Sequence, residues 1–564
     1  MLRGLLFCNY FGAMKTDDGV ERNDGMLERW VAPLAFFCLC ILAMCGGGCN
    51  KSGNPAQSGS NQQPATSNLQ PTALRLHWLG MKRLALDTTA ANFVSLWNMP
   101  ESVKLKNQSL DKLAVVLNAQ LALVAPKSDT GGTRNTNSLR LLLDDLTDFE
   151  SYVEISTNQE VAFAIRIDDT HAALWRTNLE TTGPLTTDHG LQIARQGEWT
   201  LLGMATGTNA LLADFTARIQ RSGTPAPAIA SITPSGSARG SSASAALQSS
   251  WLEADLDLAL LSELFHAPTL QRSNAPTLPT LSLVVGSSAA LVSTRAEVNF
   301  PRPLPLQLEP WNVPTNLIGW PLTSLTAVRG FAPWLASLEA WNGLRIGSPP
   351  NQFFCWASGG IPMNTFFVAP QAGASNQVSR ITDLVIEKGA PWFATHDDAI
   401  LARSGTFNGL EWKGLPILTP FLRSIETNGV SLVFGGLFPP EPPPAGQLPP
   451  DLLQHLREQK DLVFYNWEFT GPRLEQEFYI GQSIRLVTKH AQLPVDTATL
   501  PWLKAVEQRL GPSVTEITQT GPARLQLRCS SSIGLTATEL QLLVDWLEST
   551  NFPRGLRSFE KAAE

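Results

Sequence analysis

Charges fall in a regular order at one place in this 564-residue chain, Trp251-Leu-Glu-Ala-Asp-Leu-Asp-Leu258. Glu253, Asp255 and Asp257 alternate there with apolar residues. A strand would set the three carboxylates on one face, with neighbours roughly 6–7 Å apart. Such a row would hold Ca²⁺ or a cationic ligand if other oxygens converged on it. Calcium wants about six to eight oxygens, and no neighbouring loop supplies an Asp/Asn/Gly series. A solvated strand face is therefore the better reading, and no metal or cofactor is expected.

Asp168, Asp257 and Glu468 occupy matching places, near the end of an apolar strand-like run and just before a helical one. A carboxylate there suits the positive end of a helix. Glycoside hydrolysis would need two carboxyl groups roughly 5–10 Å apart across a cleft, which spacing along the chain does not establish. His171 follows Asp168-Asp169-Thr170, and His396 precedes Asp397-Asp398. Either pattern is half of a zinc site at most, and exposed polar helix starts account for both. The nucleophile elbow, phosphate loop, zinc helix, paired Cys-x-x-Cys and EF-hand loop are absent from the sequence. No catalytic residue is assigned, and an enzyme is the less favoured reading.

Seven cysteines are present, five of them at or before Cys49, which leaves Cys355 and Cys529. An oxidising compartment would allow these two to pair. The alternative is two separate thiols, because both lie in apolar strand-like runs. Sixteen Trp stand against four Tyr. Trp334 and Trp341 follow helical spacing with Leu335 and Leu338 and read as core, as does Trp546. Trp311, Trp320 and the Leu437-Phe438 pair are the candidates for exposed contacts. The net charge of −7 argues against nucleic acid as a partner.

The cellular address is written near the N-terminus. An apolar run, Trp30 to Met44, precedes Gly46-Gly47-Gly48-Cys49, and an apolar stretch before small residues is the form of a secretory signal. The pattern resembles the lipobox of bacterial lipoproteins, although Gly46 stands where that family usually has a leucine-like residue. Leu42-Ala43-Met44-Cys45 is an alternative with Met where a small residue is expected. The resemblance implies a lipidated Cys49, and the acidic stretch Asp17, Asp18, Glu21 and Asp24 ahead of the run points to a start at Met26. The resemblance also implies a chain tethered to a membrane in the bacterial cell envelope, facing the periplasm or the exterior. A spanning helix needs about 20 apolar residues, more than this run supplies. The Gly/Ser/Asn/Gln/Pro-rich residues that follow read as a flexible tether.

Periodicity sets the remaining expectations. The chain divides into residues 1–49 (signal), 50–70 (tether), and 71–221 (a helical segment and a first α+β unit). There follow 222–250 (a low-complexity linker), 251–400 (second and third units), and 401–564 (a hairpin, a proline-rich loop and a fourth unit). Four passes through the order strand, helix, hairpin, helix point to internal repeats. The fold class expected is α+β, with antiparallel sheets, helices on one face and two lobes. Hairpins are signalled at Gln196-Gly197, Gly286-Ser287-Ser288, Asn428-Gly429 and Thr520-Gly521-Pro522, and a capping box at Thr536-Ala-Thr-Glu539.

Three blocks, Trp251–Leu258, Pro303-Leu-Pro-Leu-Gln-Leu-Glu-Pro-Trp-Asn312 and Gly330-Phe-Ala-Pro-Trp-Leu-Ala-Ser-Leu-Glu-Ala-Trp341, resemble an uncharacterised bacterial envelope family. That resemblance implies no activity and no site residues. The expected function is a non-catalytic, membrane-tethered lipoprotein that serves as a binding or structural module, with an envelope protein or glycan as partner. The alternatives are an envelope hydrolase of glycans or peptides using Asp/Glu, and a lipid or lipoprotein carrier.

Overall fold

The computed structural model describes residues 72–557 apart from 125–135, 159, 182–190, 206–208, 227–248, 265–277, 289–290, 320, 360–363, 394–399, 415–417, 439–447, 489–493, 495 and 554–555. Cys49, the tether, most of the 222–250 linker, Trp320, His396 and most of the proline-rich loop lie outside the described residues. The described residues form eighteen strands and fourteen α-helices, and every strand pairing is antiparallel, so the class is α+β. The chain splits into two compact units. One comprises 72–98 and 103–290 of the described residues, and the other 99–102 and 291–557.

The first unit runs β1 (Thr72–Trp78), α1 (Met81–Leu84), α2 (Ala91–Trp97), α3 (Pro100–Val124, from Val103 on), α4 (Thr136–Asp148), β2 (Ser151–Ser156) and β3 (Val161–Arg166). It continues with α5 (Asp169–Thr181), β4 (Gln192–Gln196), β5 (Trp199–Met204), α6 (Ala210–Ser222), β6 (Ser249–Asp257), α7 (Leu258–Leu264) and β7 (Thr280–Ser288). Its strands lie in the order β4-β5-β3-β2-β1-β6-β7.

Alternation along β3 divides the core. Val161, Phe163 and Ile165 join Leu74, Val153 and Ile155 beneath residues of α3, α4 and α5. Ala162 and Ala164 turn the other way, where Leu211, Leu212, Phe215 and Ile219 of α6 pack on them with Trp199 and Leu201. Helices therefore cover both faces of this sheet, not one. The two alanines are the reason, since small side chains let a second helix approach the face that periodicity alone would leave to solvent.

The second unit runs β8 (Leu291–Asn299), β9 (Leu322–Arg329), α8 (Ala332–Ser337), α9 (Glu339–Leu344), β10 (Gln352–Ser358), β11 (Thr365–Pro370) and α10 (Ala374–Phe393). Next come β12 (Ile400–Arg403), β13 (Gly409–Lys413), β14 (Phe421–Thr427), β15 (Val430–Gly436), α11 (Pro450–Glu458) and β16 (Leu462–Phe469). The last elements are α12 (Thr470–Thr488), α13 (Thr499–Glu507), β17 (Pro512–Gly521), β18 (Arg524–Ser531) and α14 (Ala537–Leu547). Its strand order is β8-β18-β17-β16-β9-β10-β11-β15-β14-β13-β12.

Here too both faces are covered. Phe354, Trp356, Phe366, Val368 and Phe434 pack with Leu452 and Leu456 of α11. On the reverse face Ala369 and Val433 meet Ala374 and Val378 of α10.

The Asn428-Gly429 hairpin joins β14 to β15, with both turn residues at positive φ (51° and 74°), as a two-residue primed turn requires. The run expected as a hairpin over Leu281–Phe300 is instead two strands of different units, β7 beside β6 and β8 beside β18. Gly286 marks no turn there. A Cβ on it would lie 2.0 Å from the Ser249 carbonyl oxygen across a bulged pairing. The helix expected over Pro333–Trp341 is broken in two at Leu338, whose backbone is extended.

Candidate functional site

The face of the first sheet on which α6 packs also carries a group of ionisable side chains on β1, β2 and β6. Register builds it: Arg75 lies opposite Glu154 on β2 and Asp255 on β6, while His77 lies opposite Tyr152 and Glu253. Glu150, just ahead of β2, completes the group. The His77 ring stacks on Tyr152 with centroids 4.0 Å apart and planes 4° from parallel. Its Nε2 is 3.2 Å from Glu150 Oε1 and its Nδ1 is 4.0 Å from Glu253 Oε2. Glu150 also pairs with Arg83 and, at 3.4 Å, with Arg166. Arg166 in turn donates to Glu198 through Nε at 2.8 Å. Beside them a buried bidentate pair joins Arg218 of α6 to Glu154, at 2.9 and 3.0 Å.

This geometry decides the protonation states. Burial alone would lower the His77 pKa, but hydrogen bonds to Glu150 and Glu253 carry it above the usual histidine value. Burial pushes the Glu150 carboxyl up, and His77 and Arg83 more than reverse that, leaving it below the ordinary carboxylate range. Glu253 is lowered chiefly by its hydrogen bond to His77. Burial drives the Tyr152 phenol up to about 12. A general acid among carboxylates needs a raised pKa. The shifts favour the charged forms of Glu150, Glu253 and His77, so the group is arranged as an ion-pair lattice.

The residues proposed for calcium divide among other tasks. Glu253 serves His77, and Asp255 is exposed opposite Arg75. Asp257 accepts the backbone N–H groups of Ala259 and Leu260, both at 3.0 Å, at the start of α7. Among the described residues no three His, Cys, Asp or Glu side chains stand close enough to hold a metal ion.

Asp168 likewise accepts the backbone N–H of His171 at 2.9 Å at the start of α5, and its side chain meets His171 Nδ1 at 2.9 Å. Glu468 differs from the expectation in which helix it serves. It is fully buried and accepts the Ala537 N–H at 2.7 Å, at the start of α14, not of the helix that follows its own strand. Asn466 donates to it and receives Thr326 Oγ1 at 2.7 Å.

Cys355 and Cys529 are free thiols. They sit on β10 and β18, which β9, β16 and β17 separate. Four strand spacings put them about 19 Å apart, and a disulfide needs Cα atoms within about 7 Å. Burial holds the Cys529 thiol up at about 12, which leaves it a poor nucleophile. Trp311 is no free surface ring, for the Arg329 guanidinium lies 4.5 Å from its centroid and the indole packs against the core. Leu437 and Phe438 are half-buried. The His77 lattice escaped the sequence reading because its members come from positions 75 to 253, and only strand register brings them together.

No family model matches the chain, and no curated protein does. Among solved structures, that of TP0453 in its crystal form III aligns with 42% of this chain and 98% of its own, at 10% identity and a TM-score of 0.19. So low a score carries no argument about fold or function. Among the described residues no helix is long and apolar enough to cross a membrane.

Proposed function

We propose that the chain is a non-catalytic envelope lipoprotein, tethered to a membrane through a lipidated Cys49, whose α+β units form a binding or structural surface. The observation that carries the non-catalytic part is the fate of the acids. Glu150 and Glu253 clamp His77, Asp168 and Asp257 cap the helices that follow them, and Glu468 caps α14. The address is supported by the Trp30–Cys49 pattern, and the resemblance to an uncharacterised envelope family points the same way.

Intact mass and membrane fractionation of the native protein beside Cys49→Ala test the tether. A lipidated fragment beginning at Cys49, lost in the variant, is the expected result. Retention of residues 26–48 in both would overturn it. A reproducible hydrolase activity lost on changing Glu253, Asp255 or Glu468 would refute the non-catalytic reading.

We also read the two units as two lobes that arose by duplication. The order β4-β5-β3-β2-β1-β6-β7 in one corresponds strand for strand to β14-β15-β11-β10-β9-β16-β17 in the other. Helices fall in the same gaps: α5 and α10 follow β3 and β11, α6 and α11 precede β6 and β16, and α7 and α12 follow those strands. The β12–β13 pair is then an insertion. In this reading β1 and β9 each open a strand, helix, hairpin pass, through β2–β3 and β10–β11, so the repeat begins at β1 and not at β3, where periodicity placed it.

A further inference from the structure

On the second sheet, Arg423 of β14 shares a face with Phe421 and Ile425 of its own strand and lies opposite Phe434 of β15 and Gly409 of β13. That face belongs to the aromatic core of the unit, which Phe407, Phe421, Ile425 and Phe434 share. Three rings frame the guanidinium, with the centroids of Phe434, Phe421 and Phe407 at 5.3, 5.7 and 5.9 Å. Ring faces attract a cation, but its five in-plane N–H donors still want acceptors. Among the described residues no hydrogen bond or ion pair engages this guanidinium, and its Nε is shielded from solvent. Glu411, on the same face opposite Phe421, instead receives Ser404 Oγ at 2.9 Å and pairs with Lys413 Nζ at 3.3 Å. Gly409 leaves the flank on β13 without a side chain, and none fits, since a Cβ there would lie 1.9 Å from the Leu422 carbonyl oxygen. Burial alone holds the Arg423 pKa below its ordinary value.

We infer that Arg423 and the rings of Phe407, Phe421 and Phe434 form a binding site for a carboxylate carried on an apolar body. Shielded N–H groups of a guanidinium cost free energy until an acceptor meets them. A carboxylate matches the guanidinium edge with two parallel charge-assisted hydrogen bonds. One guanidinium balances one negative charge, which favours a monocarboxylate over a phosphate dianion. Phe407 and Ile425 are half-buried, so they offer apolar surface beside the charge on which the rest of the ligand leaves water. A fatty acid and an aromatic acid present the same chemistry. The inference rests on the binding-module reading and names a ligand class for it, and it stands apart from the tether at Cys49, which mass and fractionation decide.

The test uses the full chain in a non-ionic detergent, titrated by calorimetry with octanoate and separately with benzoate, beside 1-octanol as a body without the charge and acetate as a charge without the body. At least one of the two acids binds, roughly tenfold or more tighter than 1-octanol and acetate, and raises the melting temperature. Arg423→Gln weakens that binding roughly tenfold or more, and Arg423→Lys, which keeps the cation among the rings but loses the fork, weakens it about threefold or more. Arg403→Gln, a change at an exposed arginine of β12, leaves it unchanged. Where Arg423→Gln loses its cooperative melting transition, Arg423→Lys decides. Binding of octanoate alone assigns the site to an aliphatic body, and binding of benzoate assigns it to an aromatic one. A hydrolase activity would refute the non-catalytic reading without touching this binding, so the two failures are distinct. No binding of either acid, binding that both Arg423 variants retain, or 1-octanol bound as tightly as octanoate overturns the inference.

Discussion

At the scale of single residues, Arg329 shows how far a buried charge can be satisfied without a carboxylate. It is 3% exposed, and its guanidinium donates to the carbonyls of Leu462 (2.8 Å), Glu309 (2.6 Å), Gln459 (3.1 Å) and Lys460 (2.5 Å). Its planar fork matches several acceptors at once, which an ammonium group does not reproduce. Arg329→Lys should cost about 2–4 kcal/mol in stability. Urea unfolding reads this, and an unchanged midpoint would show that the carbonyls find other donors.

His77 contributes to the pH dependence of stability, as does His455, whose hydrogen bond to Glu516 also raises its pKa. Because the folded pKa of His77 is raised, its contribution is full below the unfolded value of 6.5 and is lost as pH rises through the folded value. Glu150 and Glu253 act oppositely. Their lowered folded pKa values give stability that is present above the unfolded 4.5 and is lost as pH falls through the folded values. The lattice is thus most stabilising between these limits. His77→Gln should flatten the alkaline limb of a stability–pH profile and leave most of the acid limb. Parallel profiles for the variant and the parent would remove His77 from that role.

At the scale of elements, local chemistry and close approach set different costs. The capping box expected at Thr536 forms as drawn, with the Thr536 side chain and Glu539 each satisfying the other's backbone N–H. Thr536→Ala should lower stability by about 1 kcal/mol. Gly286 costs more. A methyl group there meets the Ser249 carbonyl oxygen at 2.0 Å, with further backbone atoms of Ser249 and Ser250 close behind it, so Gly286→Ala should destabilise by about 2–3 kcal/mol. Thermal melting of both variants tests the ranking, and equal shifts would mean that the bulge relaxes around the new methyl group.

At the scale of the whole molecule, sheet order predicts where each unit opens first. β1 and β2 sit inside the first sheet, and β9 and β16 inside the second, whereas β4, β8 and β12 each pair on one side. Amide hydrogen exchange should be slowest in β1, β2, β9 and β16, and fastest among strands in β4 and β12. Edge strands as protected as the central ones would refute this.

Much of the local structure was legible without coordinates. The Asn428-Gly429 turn, the α14 cap, the strand Leu462–Phe469 and the caps at Asp168 and Asp257 depend on residues within a few positions of one another, and short-range sterics and hydrogen bonding decide them. Strand β2 was not read from the sequence, and its buried Glu154 is held by residues far from it in the chain, Arg75 at 3.6 Å and Arg218, 64 residues away on α6. The partners of β7 and β8, the second helix layer, the separation of Cys355 from Cys529 and the His77 lattice were likewise settled by register between distant segments. A strand's own residues specify which side chains share a face, but the strand that lies beside it depends on burial summed over the whole unit. That sum exists only once the chain has folded.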